Sequence, residues 1–246
     1  MAKRPTIVGV GACLAVLRAR PDAIRRAWIT EAAKPQVREL TRALARRRRP
    51  YRIVSGAEIE KLSGAMHHEG VCVEAPPPPA PAEEDFAREL TAAAGPACAV
   101  YLDGVQNPHN LGALLRTCAH FGVRGVLGAA GQVPRLGPAA MRIAEGGAEY
   151  VPVIRCARPA LRLGELRDAG VSIVAASGDA PQTLYETDLS ARAVFVLGSE
   201  RQGVTPALTT CASATASIPG TGRVDSLNVG VACAVLLGEH ARRHGL

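Results

Sequence analysis

Six short apolar runs separated by helical patterns constrain the last two thirds of this 246-residue chain more than any other feature. The runs are Cys98–Asp103, Gly125–Leu127, Tyr150–Val153, Ser172–Ala175, Ala193–Leu197 and Ala214–Ile218. Helical spacing of apolar residues fills the gaps, near 110–121, 138–145, 159–169, 204–210 and 227–243. A strand that is apolar at nearly every position is covered on both faces, so these strands predict a mostly parallel sheet between helices, an α/β fold. In such sheets ligands bind beyond the carboxyl ends of the strands. The residues that matter for function are therefore expected just after strands.

The first part of the chain is a smaller α/β unit. Helices are expected over Ala12–Arg20, Pro35–Arg47 and Ala57–Leu62, with strands at Ala27–Thr30, Tyr51–Val54 and Gly70–Glu74. The stretch Ala75-Pro76-Pro77-Pro78-Pro79-Ala80-Pro81 cannot propagate a helix and favours an extended path. The expected division is a small domain over 1–74, a proline-rich linker over 75–96 and a larger domain over 97–246.

Charge follows the same division. Residues 1–74 carry 15 Lys and Arg against 7 Asp and Glu, whereas residues 75–246 carry 14 against 15. A basic excess confined to one domain points to a polyanionic partner. Its densest cluster, Arg46-Arg47-Arg48-Arg49, reads either as a nucleic-acid contact or as a solvated helix end. Aromatic residues make up only 3% of the chain, which argues against an RNA reader that works by base stacking.

Other classes fall away. No apolar run reaches the ~18 residues of a membrane span. Lys3 and Arg4 before the apolar stretch Thr6–Leu17 imitate a signal peptide, but Arg18 and Arg20 stand where a cleavage site would need small residues. The seven cysteines are scattered without a C-x-x-C pair, and the six histidines lack ligand spacing. No metal is expected, and a reducing, cytoplasmic setting is.

Three strand-end segments carry the chemistry. The first is Leu102 to Arg116, where a polar loop leads into a helix that Asn110 is placed to cap. Leu111, Leu114, Leu115 and Cys118 form its buried stripe, and Arg116 falls on the opposite face. The second is Val194 to Gly203, a buried strand that empties into a glycine-bounded loop bearing Glu200. The third is Ser217 to Ala232, a glycine-rich loop in which Ser226 is placed to cap the last helix.

In order, spacing and residue type these segments resemble the SpoU/TrmH family of the SPOUT superfamily of RNA 2′-O-methyltransferases. The pattern N-x-G-x-x-x-R matches Asn110, Gly112 and Arg116; G-x-E-x-x-G matches Gly198, Glu200 and Gly203; I-P-x-x-G-x-x-x-S-L-N-V matches Ile218 to Val229. The likeness covers about 97–246, and His68-Glu69-Gly70-Val71 fits the end of the small L30e-like substrate-binding domain that many members carry.

The resemblance implies methyl transfer from S-adenosylmethionine to a ribose hydroxyl of ribosomal or transfer RNA. It also implies a C-terminal trefoil knot and a homodimer. It assigns the cofactor to Leu197, Gly198, Gly203, Ile218, Pro219 and Leu227. Catalysis would fall to Asn110, Arg116, Glu200, Ser226 and Asn228, with Glu200 holding Arg116 or a ribose hydroxyl. RNA contacts would come from Arg116 and Arg46–Arg49. Departures are Gly220, where the family often has Met, Gly230, where Ser is common, and the added charges of Arg223 and Asp225.

Two other readings compete. Gly9-Val10-Gly11-Ala12-Cys13-Leu14 after a short strand, with Glu31 further on, imitates a dinucleotide fingerprint, but Leu14 stands at its third glycine. A non-catalytic RNA-binding protein with a vestigial cofactor pocket is the other.

Overall fold

The computed structural model of the chain describes residues 6–245, so Lys3 and Arg4 lie outside the described residues. The first sheet is built from β1 (Thr6–Val8), β2 (Arg26–Ile29), β3 (Tyr51–Ile53) and β4 (Val71–Glu74), in the order β1-β4-β2-β3. Strand β4 is antiparallel to β1 and β2, and β2 is parallel to β3. Helices α1 (Val10–Ala19), α2 (Arg38–Arg46) and α3 (Gly56–Ser63) complete this unit. Ser55 accepts from the Glu58 amide and caps α3. The imitation of a dinucleotide site dissolves here. The Val10 amide at the start of α1 donates to Glu69 at 2.9 Å, so a carboxylate of the chain itself already occupies the position a pyrophosphate would need.

The segment read as linker contains a helix, α4 (Glu83–Thr91). Its Phe86 and Leu90 are buried against the second sheet, each contributing ~1.5–3 kcal/mol by the usual scale of side-chain burial. Arg162 reinforces the attachment, since its Nη2 donates to Glu83 at 3.2 Å and to Glu84 at 3.0 Å. Only the stretch through the prolines is extended and mostly exposed.

The second sheet comprises β5 (Ala97–Asp103), β6 (Val126–Ala129), β7 (Val153–Cys156), β8 (Ser172–Ala176), β9 (Arg192–Gly198) and β10 (Ala214–Ala216). Its order is β10-β8-β9-β5-β6-β7 and every neighbouring pair is parallel. Alternation within β5 explains the unbroken apolar runs: Cys98, Val100 and Leu102 face one hydrophobic cluster, whereas Ala97, Ala99 and Tyr101 face the other. The first cluster is roofed by α5 (Pro108–His120) and α9 (Val229–His244), the second by α4, α7 (Pro159–Asp168) and α8 (Pro206–Cys211). Helix α6 (Pro138–Ile143) joins the first.

Three expectations shift. The strand expected at Tyr150–Val153 lies at Val153–Cys156, because a short 3-10 turn at Gly147–Glu149 ends on Tyr150 and Pro152 follows. Asn110 does not cap α5: Asn107 does, its side chain accepting from the His109 amide at 2.9 Å with Pro108 as the first helical residue. Ser226 does not cap α9: Asn228 does, accepting from Gly230 at 2.9 Å. In both cases the capping asparagine lies immediately before the helix.

Candidate functional site

The strand order reverses between β5 and β9. From β5 the chain steps outward through β6 and β7, and then returns to build β8, β9 and β10 on the other side. Loops leaving β5 and β9 therefore diverge, and the crevice between them is the switch point at which α/β sheets bind ligands.

Three predicted residues meet there. Asn228 Nδ2 donates to Glu200 Oε1 at 2.8 Å and to Asn110 Oδ1 at 3.4 Å. Asn110 Nδ2 reaches the same Glu200 oxygen at 3.5 Å, as does the Val229 amide. One carboxylate at the start of α9 thus gathers donors from two other segments, and negative charge is favoured at a helix N-terminus. Glu200 was expected to hold Arg116 or a ribose hydroxyl; here it holds the two asparagines.

Gly198 explains the loop that carries Glu200. A Cβ on Gly198 would overlap the backbone of Gly203, so the hairpin closes only because Gly198 lacks a side chain. Gly203 has φ 65° and its amide donates to Ser199 O at 2.8 Å. A residue not singled out from the sequence anchors the far end. Asp103, buried at the end of β5, accepts from the Thr205 amide at 2.7 Å. Its one signal was a carboxylate closing an otherwise apolar strand.

Arg116 is exposed on α5, and no hydrogen bond or ion pair engages its side chain among the described residues. The structure does not bring it into the asparagine–glutamate cluster. Gly112, its partner in the motif, has a packing role: a Cβ there would lie 2.7 Å from Ala140 O and 2.8 Å from the Ile143 Cβ, so α6 rests directly on α5.

The third loop is open. Gly220 and Gly222 have nothing within 4 Å of where a Cβ would stand, and Pro219, Arg223, Asp225 and Ser226 are exposed. A Cβ on Gly178 would lie 3.9 Å from Asp225 O. Leu197 is buried at the strand end, Ile218 is half-buried and Leu227 is 41% exposed. Apolar side chains beside unobstructed glycine backbone suit a nucleoside-containing cofactor such as S-adenosylmethionine.

Of the Arg46–Arg49 run, all four are exposed, Arg47 pairs with Asp22 at 3.3 Å, and Arg48 has φ 53°. Arg46 ends α2 and the other three lead toward β3, the edge of the small sheet farthest from β1, whereas α6 packs beside β1.

Buried cysteines contribute packing only. Burial pushes the Cys98 and Cys156 thiols up to about 12, away from reactive thiolate. No group of side chains suited to a metal occurs among the described residues.

Comparison with known proteins agrees with this geometry. The profile of the SpoU rRNA Methylase family matches residues 97–238, and that of RNA 2′-O ribose methyltransferase substrate binding matches residues 6–81. The chain is 37% identical to the uncharacterized tRNA/rRNA methyltransferase YfiF of Escherichia coli O157:H7 over 99% of its length and 69% of the relative's. It is 32% identical to the 23S rRNA (guanosine-2′-O-)-methyltransferase RlmB of Pseudomonas aeruginosa, over 99% and 98% of the two chains.

Among solved structures, an RNA 2′-O ribose methyltransferase superposes with a TM-score of 0.78 at 25% identity, covering 98% of this chain and 89% of that one. The AdoMet complex of the SpoU methyltransferase AviRb from Streptomyces viridochromogenes shares the fold, with a TM-score of 0.77 at 20% identity and 98% and 91% coverage. With both domains matched and the three motif loops gathered at one switch point, the chain belongs to the SpoU family of RNA 2′-O-methyltransferases.

Proposed function

We propose that this protein methylates the 2′-hydroxyl of a ribose in structured ribosomal or transfer RNA, in the cytoplasm and as a homodimer. The observation that carries the reading is the convergence of Asn110, Glu200 and Asn228, one from each motif segment, on a single carboxylate at the switch point. Bound in the pocket, S-adenosylmethionine supplies an electrophilic methyl group. Leu197, Ile218 and Leu227 would hold its apolar parts, and the backbone at Gly198, Gly203 and Pro219 would line the rest.

The remaining work is positioning and proton removal. A guanidinium keeps its proton at working pH and is a poor base, so Arg116 binds the phosphate beside the reactive ribose. Held there, the ribose hydroxyl would give up its proton to that phosphate or to water when the cofactor supplies its methyl group. Asn110 orients the nucleophile. Glu200 and Asn228 fix Asn110, and Ser226 lies on the open loop where ordering brings it to the site. The chain after β10, crossing back to α9, is the segment we read as knotted.

Arg46–Arg49 supply a salt-dependent hold on RNA phosphates. The dimer reading is supported by Val224, Leu227 and Val231, which are 71%, 41% and 50% exposed beside the site. The test is transfer of labelled methyl to RNA, read as 2′-O-methyl by resistance of the adjoining phosphodiester to alkali. Arg116→Ala should lower turnover about 100-fold, the scale of a misplaced reactive group, while retaining the cofactor. Label on a base, or near-normal turnover of Arg116→Ala, would refute the respective half of the reading.

A further inference from the structure

The Arg116 side chain makes no hydrogen bond or ion pair among the described residues, yet its backbone is closely confined. The 3-10 turn after α6 is pressed against it. A Cβ on Gly147 would lie 2.5 Å from Leu115 O and 3.0 Å from the Arg116 Cα. On its other side the same turn meets the small domain. Gly146, at φ 92°, stands against α1 so closely that a Cβ there would overlap the Ala15 methyl, with Gly11 O at 3.4 Å.

An ion pair locks this layer. Arg20, just past the end of α1, donates to both oxygens of Glu149, from Nε at 2.5 Å and from Nη2 at 2.9 Å. The Glu149 side chain is 1% exposed. Two adjacent glycines thus touch α1 of the small domain on one side and the turn of α5 that bears Arg116 on the other.

Packed interiors are stiff and pass displacements on. We propose that α1, acting through Gly146 and Gly147, sets the position of Arg116, which makes Ala15, Arg20 and Glu149 positioning residues for methyl transfer. The small domain then has two roles, holding RNA and aligning the arginine. This rests on the reading that Arg116 engages the phosphate beside the reactive ribose.

The test is Ala15→Leu in the full chain, which enlarges the side chain facing Gly146. Single-turnover methyl transfer is measured at saturating RNA and S-adenosylmethionine, alongside cofactor and RNA affinity. The expected result is a fall of ~10-fold or more in the saturated rate, given ~100-fold for an ångström of misplacement, with cofactor affinity within about twofold. In an Arg116→Ala background the same substitution should add no further loss, because the residue it acts through is gone.

A raised RNA requirement at an unchanged saturated rate would overturn the proposal, leaving the small domain as a capture device. So would a loss that multiplies in full onto Arg116→Ala. If Arg116→Ala alone has normal turnover, the reading of Arg116 fails and the proposal with it. An inactive Arg116→Ala beside a fully active Ala15→Leu sinks the positioning role alone. Should Ala15→Leu not fold, Glu149→Gln removes the carboxylate charge from the ion pair with Arg20, keeps that side chain's shape, and serves the same comparison.

Discussion

The loops that leave β9 and β10 have similar glycine-rich sequences and opposite physical characters. The β9 loop is fastened at every turn: Gly198 lies on Gly203, Ser199 bridges to Gly203, and Asp103 holds the Thr205 amide. The β10 loop is exposed throughout from Pro219 to Leu227. A loop with few buried contacts opens at low free-energy cost, whereas a fastened one moves only with the sheet. The fastened loop therefore holds its carboxylate in place, and the bare loop is the one free to be ordered by a ligand on the reading proposed above.

The largest effect expected from this contrast is at Gly198. Gly198→Ala puts a methyl into the Gly203 backbone, which cannot rotate away as a side chain would. Turnover should fall more than ~100-fold, the scale expected when reacting groups shift by an ångström, and cofactor binding should be lost in calorimetry. Gly220→Ala, on the bare loop, should change either quantity by less than about threefold, as for a surface substitution. Equal effects at the two positions would erase the distinction.

Next in size is Glu200→Gln. It keeps the shape but removes the charge that gathers Asn110, Asn228 and the Val229 amide. Hydrogen bonds to a charged group contribute ~1.5–3 kcal/mol, so turnover should drop ~10- to 100-fold, measured at saturating RNA. Unchanged turnover would mean that the carboxylate only decorates the helix terminus.

A gentler probe uses the arginine that each loop happens to contain. Trypsin should cut after Arg223 several times faster than after Arg201, and S-adenosylmethionine should slow the Arg223 cut specifically, as mapped by mass spectrometry of early fragments. Comparable rates at the two sites would show that the β9 loop is not fastened.

The smallest effect concerns the root of the bare loop. Ser217 bridges to Thr183, and the segment after Thr183 is held by Arg243, which donates to Leu184 O, Tyr185 O and Thr187 O. Arg242 and Arg243 hydrogen-bond to Glu239 and lower its pKa to about 2. A carboxylate with a depressed folded-state pKa adds stability that is present above its ordinary value of 4.5 and is lost as pH falls toward about 2. Glu239→Gln should flatten the decline in melting temperature across that window; an unaltered pH profile would remove Glu239 from the anchor.

Sequence legibility divides along the same line. The motif loops could be placed because strand, glycine and polar residue follow one another in order, a signal that lies along the chain. The cap of α5 was misplaced because Asn107 and Asn110 are both good capping residues three positions apart; Pro108, which fits the first helical position, identifies the true start. Helix α4 went unseen because two apolar residues, Phe86 and Leu90, are all that mark it, after prolines that argue for extension. The partners of Asp103 and Gly146 cannot be read from the sequence because each contact reaches a remote segment, Thr205 and Ala15 respectively, and glycine shows no periodicity.

The order of the small sheet has a consequence for how the protein is assayed. Strand β3 and the arginine run beside it lie three strand spacings from β1, ~14 Å at ~4.8 Å each, on the side away from α6. On the proposed reading of the arginine run, a polyanion touching both that edge and the crevice at Glu200 would have to reach across the small sheet. An oligonucleotide of a few residues can occupy one end at a time. Minimal substrates would then report the intrinsic competence of the crevice and hide any selectivity written into the distance between the two ends.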